Sequence, residues 1–200
     1  MSDGQIVVLN GAPRSGKSSI AAIVQETFEG LWVNLGVDVA RTMIPARYQP
    51  GIGLRPGEPD HPAAPVVPVL FAALYESIAA HAGVGLNVVT DIGHHDVVVL
   101  HDCARRLAGR RAALVGVRCP IDVVMERRNA SEPGSYATGA PYDPPAPVRR
   151  WQREVHVPGV YDLEVDTSVL SPEECADAIR VLLVEMPSPA AFERLAASDS

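Results

Sequence analysis

The chain has 200 residues, 47% of them hydrophobic and only 5% aromatic, with a formal net charge of -7. That length suits one domain with room for inserted loops, built around a core of Val, Leu, Ile and Ala. The acidic balance argues against nucleic acid as the main partner, because gripping a phosphate backbone needs basic surface.

No basic segment followed by an apolar one opens the sequence, and no apolar run reaches the roughly 18 residues of a membrane span. Cys103, Cys119 and Cys175 lack paired or metal-binding spacing and read as reduced thiols. Together these features predict a cytoplasmic protein with no membrane partner.

In chain order, residues 5–10, apolar from Ile6 to Leu9, predict a strand covered on both faces. Gly11-Ala12-Pro13-Arg14-Ser15-Gly16-Lys17-Ser18 follows and spells G-x-x-x-x-G-K-S. A helix over 17–28 comes next, with Ile20, Ile23, Val24 and Phe28 on one face. This strand–loop–helix is the setting of a phosphate-binding loop, whose amides and helix N-terminus hold an anion. A plain glycine turn is the alternative, and the context disfavours it. Gly11 to Gly16, with Lys17, Ser18 and Ser19, are the expected contacts to ATP or GTP. Lys17 supplies charge to the β- and γ-phosphates, and the Ser18 hydroxyl is the expected Mg²⁺ ligand.

Residues 31–35 predict a second strand, followed by Gly36-Val37-Asp38 and a helix-like 39–44. Asp38 lies beyond a strand's carboxyl end, where ligands collect in open parallel sheets. It suits a general base that takes the proton of an acceptor hydroxyl. The alternative is an N-cap for the next helix. Residues 45–68 carry seven prolines and predict a helix-free loop, read as a wall of the substrate pocket.

A helix is predicted over 69–82 and a buried strand over 86–91. Asp91, at that strand's end, suits a Mg²⁺ site or a substrate contact, or else a turn cap. His94, His95 and Asp96 read as a polar turn, because adjacent histidines project apart and rarely chelate one ion. A helix over 97–107, a strand within 111–119 and a helix over 121–128 follow.

Arg127 and Arg128 precede an irregular stretch, 129–147, where a lid is expected. Arg149, Arg150 and Arg153 lie beyond it on a helix over 148–157. One of these arginines is expected to clamp the transferring phosphoryl. Arg118 suits a structural ion pair. Residues 161–165 predict the last strand, with Asp162 and Asp166 flanking the base of the nucleotide or forming a turn. Ser171 and Glu174 have capping-box spacing before a helix to about 185.

Five strands alternating with helices predict an α/β, three-layer P-loop kinase fold: a parallel five-stranded sheet with helices on both faces and a lid. The kinase domain is expected over 1–186, with the pocket loop near 45–68 and the lid near 129–147. A C-terminal tail, 187–200, includes a short helix near 190–197.

Four stretches together resemble the chloramphenicol phosphotransferase family. They are the loop after Ile6-Val7-Val8-Leu9-Asn10, the Gly36-Val37-Asp38 turn, Val115-Gly116-Val117-Arg118-Cys119, and His156 followed by Gly159-Val160-Tyr161-Asp162, Glu164, Val165, Asp166 and Thr167. The resemblance covers about 5–185. It implies an adenylate-kinase-like fold and transfer of a nucleotide's γ-phosphoryl to a hydroxyl of an antibiotic. It implies that Asp38 accepts the proton, that Gly11 to Ser19 bind the nucleotide, and that the Arg127/Arg128 neighbourhood supplies lid arginines.

Three departures fall where the acceptor should lie. Thr90-Asp91 replaces a pair of aspartates, 45–68 is proline-rich, and 129–147 is longer, with Tyr136, Tyr142 and Pro144-Pro145. The expected function is therefore a Mg²⁺-dependent small-molecule O-kinase with an antibiotic-like acceptor, and a homo-oligomer is possible. A metabolic kinase for a nucleoside, nucleotide or sugar shares the same motifs. A nucleotide-dependent switch is disfavoured by the lack of an N-K-x-D base-reading motif.

Overall fold

The computed structural model describes residues 3–49, 62–131, 138–185 and 189–198. Five parallel strands make one sheet in the order β2-β3-β1-β4-β5. They are β1 (Ile6–Asn10), β2 (Trp32–Asn34), β3 (Asn87–Ile92), β4 (Ala112–Arg118) and β5 (Leu163–Asp166). The strand β1 is central, paired with β3 on one side and β4 on the other. All five of its residues are buried, as its unbroken apolar spelling requires.

Alternate residues of β1 feed opposite layers. Ile6 and Val8 face a cluster with Phe71, Tyr75, Ile78, Leu100 and Leu107. These come from α3 (Val67–Gly83) and α4 (Val97–Leu107). Val7 and Leu9 face Ile20, Val24, Ile179 and Leu182, from α1 (Lys17–Thr27) and α7 (Pro172–Glu185). The remaining helices are α2 (Val37–Thr42), α5 (Ile121–Asn129), α6 (Ala146–Glu154) and α8 (Ala191–Ala197). A small cluster of Cys119, Val124, Met125 and Val148 joins α5 to α6.

Local signals set the helix ends. Asp96 caps α4 by accepting the Val98 N–H at 2.9 Å. Ser171 and Glu174 exchange both bonds of a capping box, at 2.8 and 3.2 Å.

The proline-rich stretch is less irregular than its composition predicts. Residues 50–61 lie outside the described region, but Ala46–Tyr48 and Ala64–Val66 are 3₁₀ turns and α3 begins at Val67. Pro68 is in the first turn of α3, where its missing N–H has no helical partner to lose. Ala64–Gly83 is thereby 20 residues of continuous helix, with an 18-residue window of mean hydropathy 1.4, long and apolar enough to cross a membrane by length and composition. Glu76, Ser77 and His81 interrupt it, so it is not an unbroken apolar run of that length. Phe71, Leu74, Tyr75 and Ile78 bury this helix against the sheet, the placement of a core helix.

Residues 132–137 of the expected lid also lie outside the described region. At its base the Asn129 amide exchanges bonds of 2.9 and 3.3 Å with the Gly139 backbone. Residues 146–147 already belong to α6.

The C-terminal helix α8 docks on α4 and β4, burying Phe192 and Leu195. Asp162 holds it there: one carboxylate oxygen accepts the Ala190 and Ala191 N–H groups, both at 2.9 Å, and the other accepts Leu114 N–H at 2.8 Å. This corrects the placement of Asp162 beside a nucleotide base, because the residue stands at the amino end of β5, away from the phosphate loop.

Asp162→Ala is expected to lower the unfolding free energy by about 2 kcal/mol, the scale for charge-assisted hydrogen bonds. Urea denaturation measures this, and donor-nucleotide affinity should be unchanged.

Candidate active site

The loop leaving β1 enters α1 through two residues in the left-handed region, Arg14 at φ 71° and Gly16 at φ 95°. Glycine takes that conformation without strain. The amino end of α1 carries no side-chain cap, so its first N–H groups are available to an anion. Inside the loop the Ser15 hydroxyl is buried with no hydrogen-bond partner among the described residues, as suits a loop that closes on a polar ligand.

Lys17 Nζ spans the loop, donating to the Gly11 and Ala12 carbonyls at 2.9 Å each. Burial pulls its pKa down, and the charges of Asp91 and Asp38 oppose that shift.

Ser18 Oγ donates to Asp91 at 2.5 Å, joining the start of α1 to the end of β3. Burial pushes the Asp91 carboxyl up, while the Ser18 hydrogen bond and Lys17 pull it down. The amino end of α2 comes against the same carboxylate: a Cβ on Gly36 would overlap an Asp91 oxygen. That close approach explains the glycine of the Gly36-Val37-Asp38 turn.

Gly36 is the N-cap of α2 and Asp38 lies within its first turn, so the N-cap reading of Asp38 is overturned. Asp38 is exposed, and its charge acts on both Lys17 and Asp91. Thr90, one residue before Asp91, donates to the Leu35 carbonyl at 2.9 Å and ties β3 to the segment before α2.

A cavity of about 340 Å³ lies beside the loop, lined by residues that include Lys17, Ser18, Arg127, Thr167, Leu170 and Pro172. Arg127 is fixed there. Its guanidinium donates to Thr167 Oγ1 at 3.0 Å and to the Thr167 carbonyl at 2.7 Å. Thr167 Oγ1 in turn donates to the Ser15 carbonyl at 2.7 Å. Arg128 is 4% exposed and does not line this cavity, so the two neighbouring arginines diverge.

Arg149, Arg150 and Arg153 are exposed on α6, with Arg149 paired to Asp143 and Arg150 to Glu154. Arg118 makes the expected ion pair, with Glu164 at 2.5 Å. Asp166 forms a turn, accepting the Ser168 N–H and hydroxyl. His94, His95 and Asp96 part ways as expected, although His94 is a buried residue rather than a loop polar group. His94 Nε2 lies 2.8 Å from the Tyr75 hydroxyl, and His95 meets the Trp151 ring edge-on.

Sequence reasoning missed Asn10. Its side chain is fully buried and meets three separate segments: the His94 N–H, the Val155 carbonyl and the Tyr161 hydroxyl. The one available signal was a polar residue closing an otherwise apolar strand. Burial holds the Tyr161 phenol up to about 12 and His156 down to about 4, where Arg118 adds to the effect. Asn10 Nδ2 donates to the phenol oxygen, which also shares a hydrogen bond of 2.7 Å with His156 Nδ1.

Among the described residues no group of three or more His, Cys, Asp or Glu could hold a metal. The donor set instead suits Mg²⁺, which binds one or two protein oxygens and completes its shell with water and substrate phosphates. Ser18 and Asp91 would supply those two oxygens.

A phosphate loop on the central strand, an acid on the next strand and a nucleotide-sized cavity define a P-loop kinase. The family described as chloramphenicol phosphotransferase-like protein matches residues 4–184, and the chain belongs to it. A relative in Mycobacterium tuberculosis, provisionally named an O-phosphotransferase, is 27% identical over 98% of this chain and 89% of its own. The fold is similar to the M. tuberculosis APS kinase CysC solved with AMPPNP and APS, at TM-score 0.64 and 19% identity over 92% of this chain and 99% of that one. It is also similar to a tunicamycin resistance protein of Deinococcus radiodurans, at TM-score 0.57 and 15% identity over 91% and 95% of the two chains. Family and fold make the protein a small-molecule O-kinase.

Ser18→Ala is expected to weaken Mg²⁺-nucleotide binding by about tenfold or more, while metal-free nucleotide binds within about threefold of wild type. Calorimetry with and without Mg²⁺ separates the two.

Stability should also depend on His156. Its unfolded ring titrates near 6.5, above its folded value. The contribution is therefore complete above about pH 6.5 and lost as pH falls toward 4. Urea midpoints across that window should fall in wild type and fall less in His156→Gln.

Proposed function

We propose that the protein transfers the γ-phosphoryl of ATP or GTP to a hydroxyl of a small, partly apolar, antibiotic-like acceptor, with Asp38 as general base. The observation that carries this reading is the convergence of Lys17, Ser18, Asp91 and Asp38 at the carboxyl edge of the sheet.

In the proposed reaction the loop amides and Lys17 hold the phosphate tail, and Lys17 exchanges the Gly11 and Ala12 carbonyls for phosphate oxygens. Mg²⁺, when bound, would neutralise charge on those oxygens. The acceptor oxygen bonds to the γ-phosphorus and its proton passes to Asp38. The bond from that phosphorus to the β,γ-bridging oxygen breaks, releasing the nucleoside diphosphate. Positioning the alcohol provides most of the rate, and the base adds about 10²–10⁴. The nucleoside end of the donor fits the cavity bounded by Arg127, Thr167, Leu170 and Pro172.

The acceptor class rests on a second cavity, of about 130 Å³, between α2 and α3. Its described lining is almost wholly apolar, with residues that include Leu35, Val39, Met43, Ile44, Leu70 and Leu74, and Ser77 is the one polar side chain among the described residues. An apolar cavity of about 150 Å³ accepts benzene. The walls of this one come from the helix that carries Asp38, so an acceptor with an apolar arm the size of one ring fits better than a polyanion or a free sugar.

A library of hydroxyl-bearing antibiotics and common metabolites, incubated with protein, Mg²⁺ and ATP or GTP, tests this by mass spectrometry. Acceptors with an apolar arm should gain about 80 Da, one phosphoryl group. Gain only on sugars, nucleosides or nucleotides would give the protein a metabolic role instead. Asp38→Asn should bind the donor within about threefold of wild type and lose at least two orders of magnitude in transfer. Ala73→Phe, which fills the apolar cavity, should raise the acceptor KM by about tenfold or more and leave the donor KM unchanged.

A further inference from the structure

Asn10 is the last residue of β1, directly before the loop that begins at Gly11. Its carboxamide is fully used. Oδ1 accepts the His94 N–H at 2.8 Å, in the loop that follows Asp91. Nδ2 donates to the Val155 carbonyl at 2.7 Å, at the end of α6, and to the Tyr161 hydroxyl at 2.8 Å. An amide of this size offers one acceptor and two donors; aspartate offers no donor, and leucine offers neither.

The helix α6 is braced by further contacts. Gln152 donates to the Cys119 carbonyl at 2.6 Å. Trp151 lies over Gly93, where a Cβ would come within 2.6 Å of its ring and 3.0 Å of the Gly11 carbonyl. One face of α6 therefore presses on the loop after Asp91, and that loop presses on the first residue of the phosphate loop. The residues lining the donor cavity come from elsewhere, none of them from α6.

We propose that Asn10, with Tyr161 and His156 behind it, is a positioning residue that fixes α6 against the phosphate loop. It sets α6 and the loop after Asp91 in place against Gly11, on a side of the phosphate loop that lends no residue to the donor cavity. The consequence for catalysis rests on the kinase reading above; the structural coupling does not. Asn10→Asp removes both donors, and Tyr161→Phe removes one hydroxyl while keeping the ring.

The experiment uses the full chain carrying Trp32→Phe, which leaves Trp151 as the single tryptophan. Emission and acrylamide quenching then report on α6. In both variants Trp151 should shift to the red and quench at least twofold more readily. The Kd for AMPPNP with Mg²⁺ should stay within threefold. With any acceptor found, kcat should fall tenfold or more while the donor KM stays within threefold.

Unchanged Trp151 emission in Tyr161→Phe would overturn the coupling. So would equal losses in donor affinity and kcat, because a merely structural residue would lower both together. If wild type phosphorylates no alcohol, the kinase reading fails, and the Trp151 readout still decides the coupling. Should Asn10→Asp not fold, Tyr161→Phe carries the test.

Discussion

The register between β1 and β3 is the constraint on which the site depends. Leu9 pairs with Asp91 and Asn10 with Ile92. Because β1 is buried on both faces and paired on both edges, this register cannot slip without moving a whole set of side chains to the wrong layer. It delivers the phosphate loop and the acid of β3 to the same edge, within reach of a single hydrogen bond from Ser18 to Asp91. A chain that satisfies the hydrophobic pattern of its central strand has thereby placed two of the groups that phosphoryl transfer uses.

The same edge holds charges that depend on one another. Lys17 and Asp91 are each unfavourably buried, and each offsets the other's cost, while Asp38 draws on Lys17 from the more exposed side. Burial makes these interactions stronger than they would be at the surface. It also explains why α2 begins on a glycine, since any larger residue would collide with the Asp91 carboxylate. Fold and electrostatics are set here by one close approach of backbone to side chain.

Features written in local pattern were legible in the sequence. The loop motif, the apolar run before it, the bounds of α4 and the capping box at Ser171 all depend on neighbours a few residues apart. Features made by distant partners were not. Asn10 meets Val155 and Tyr161 at separations of 145 and 151 residues, and Asp162 meets α8 across 28 and 29. No periodicity announces such pairs. The prolines near α3 misled for another reason: composition marks a helix breaker, but only position in the first turn decides whether one is tolerated. Arg127 and Arg128 were indistinguishable as adjacent letters, and the rotation of about 100° per helical residue sends one to the donor cavity and the other inward.

The docking of α8 bears on what counts as the folding unit. The family footprint ends at residue 184, yet Phe192 and Leu195 fill the same hydrophobic layer as Phe71 and Leu107. A protein trimmed to the footprint would open a phenylalanine-sized hollow beside α4 and strand the Asp162 carboxylate without two of its amide donors. Expression boundaries drawn from the shared family segment alone would cut through this molecule's core.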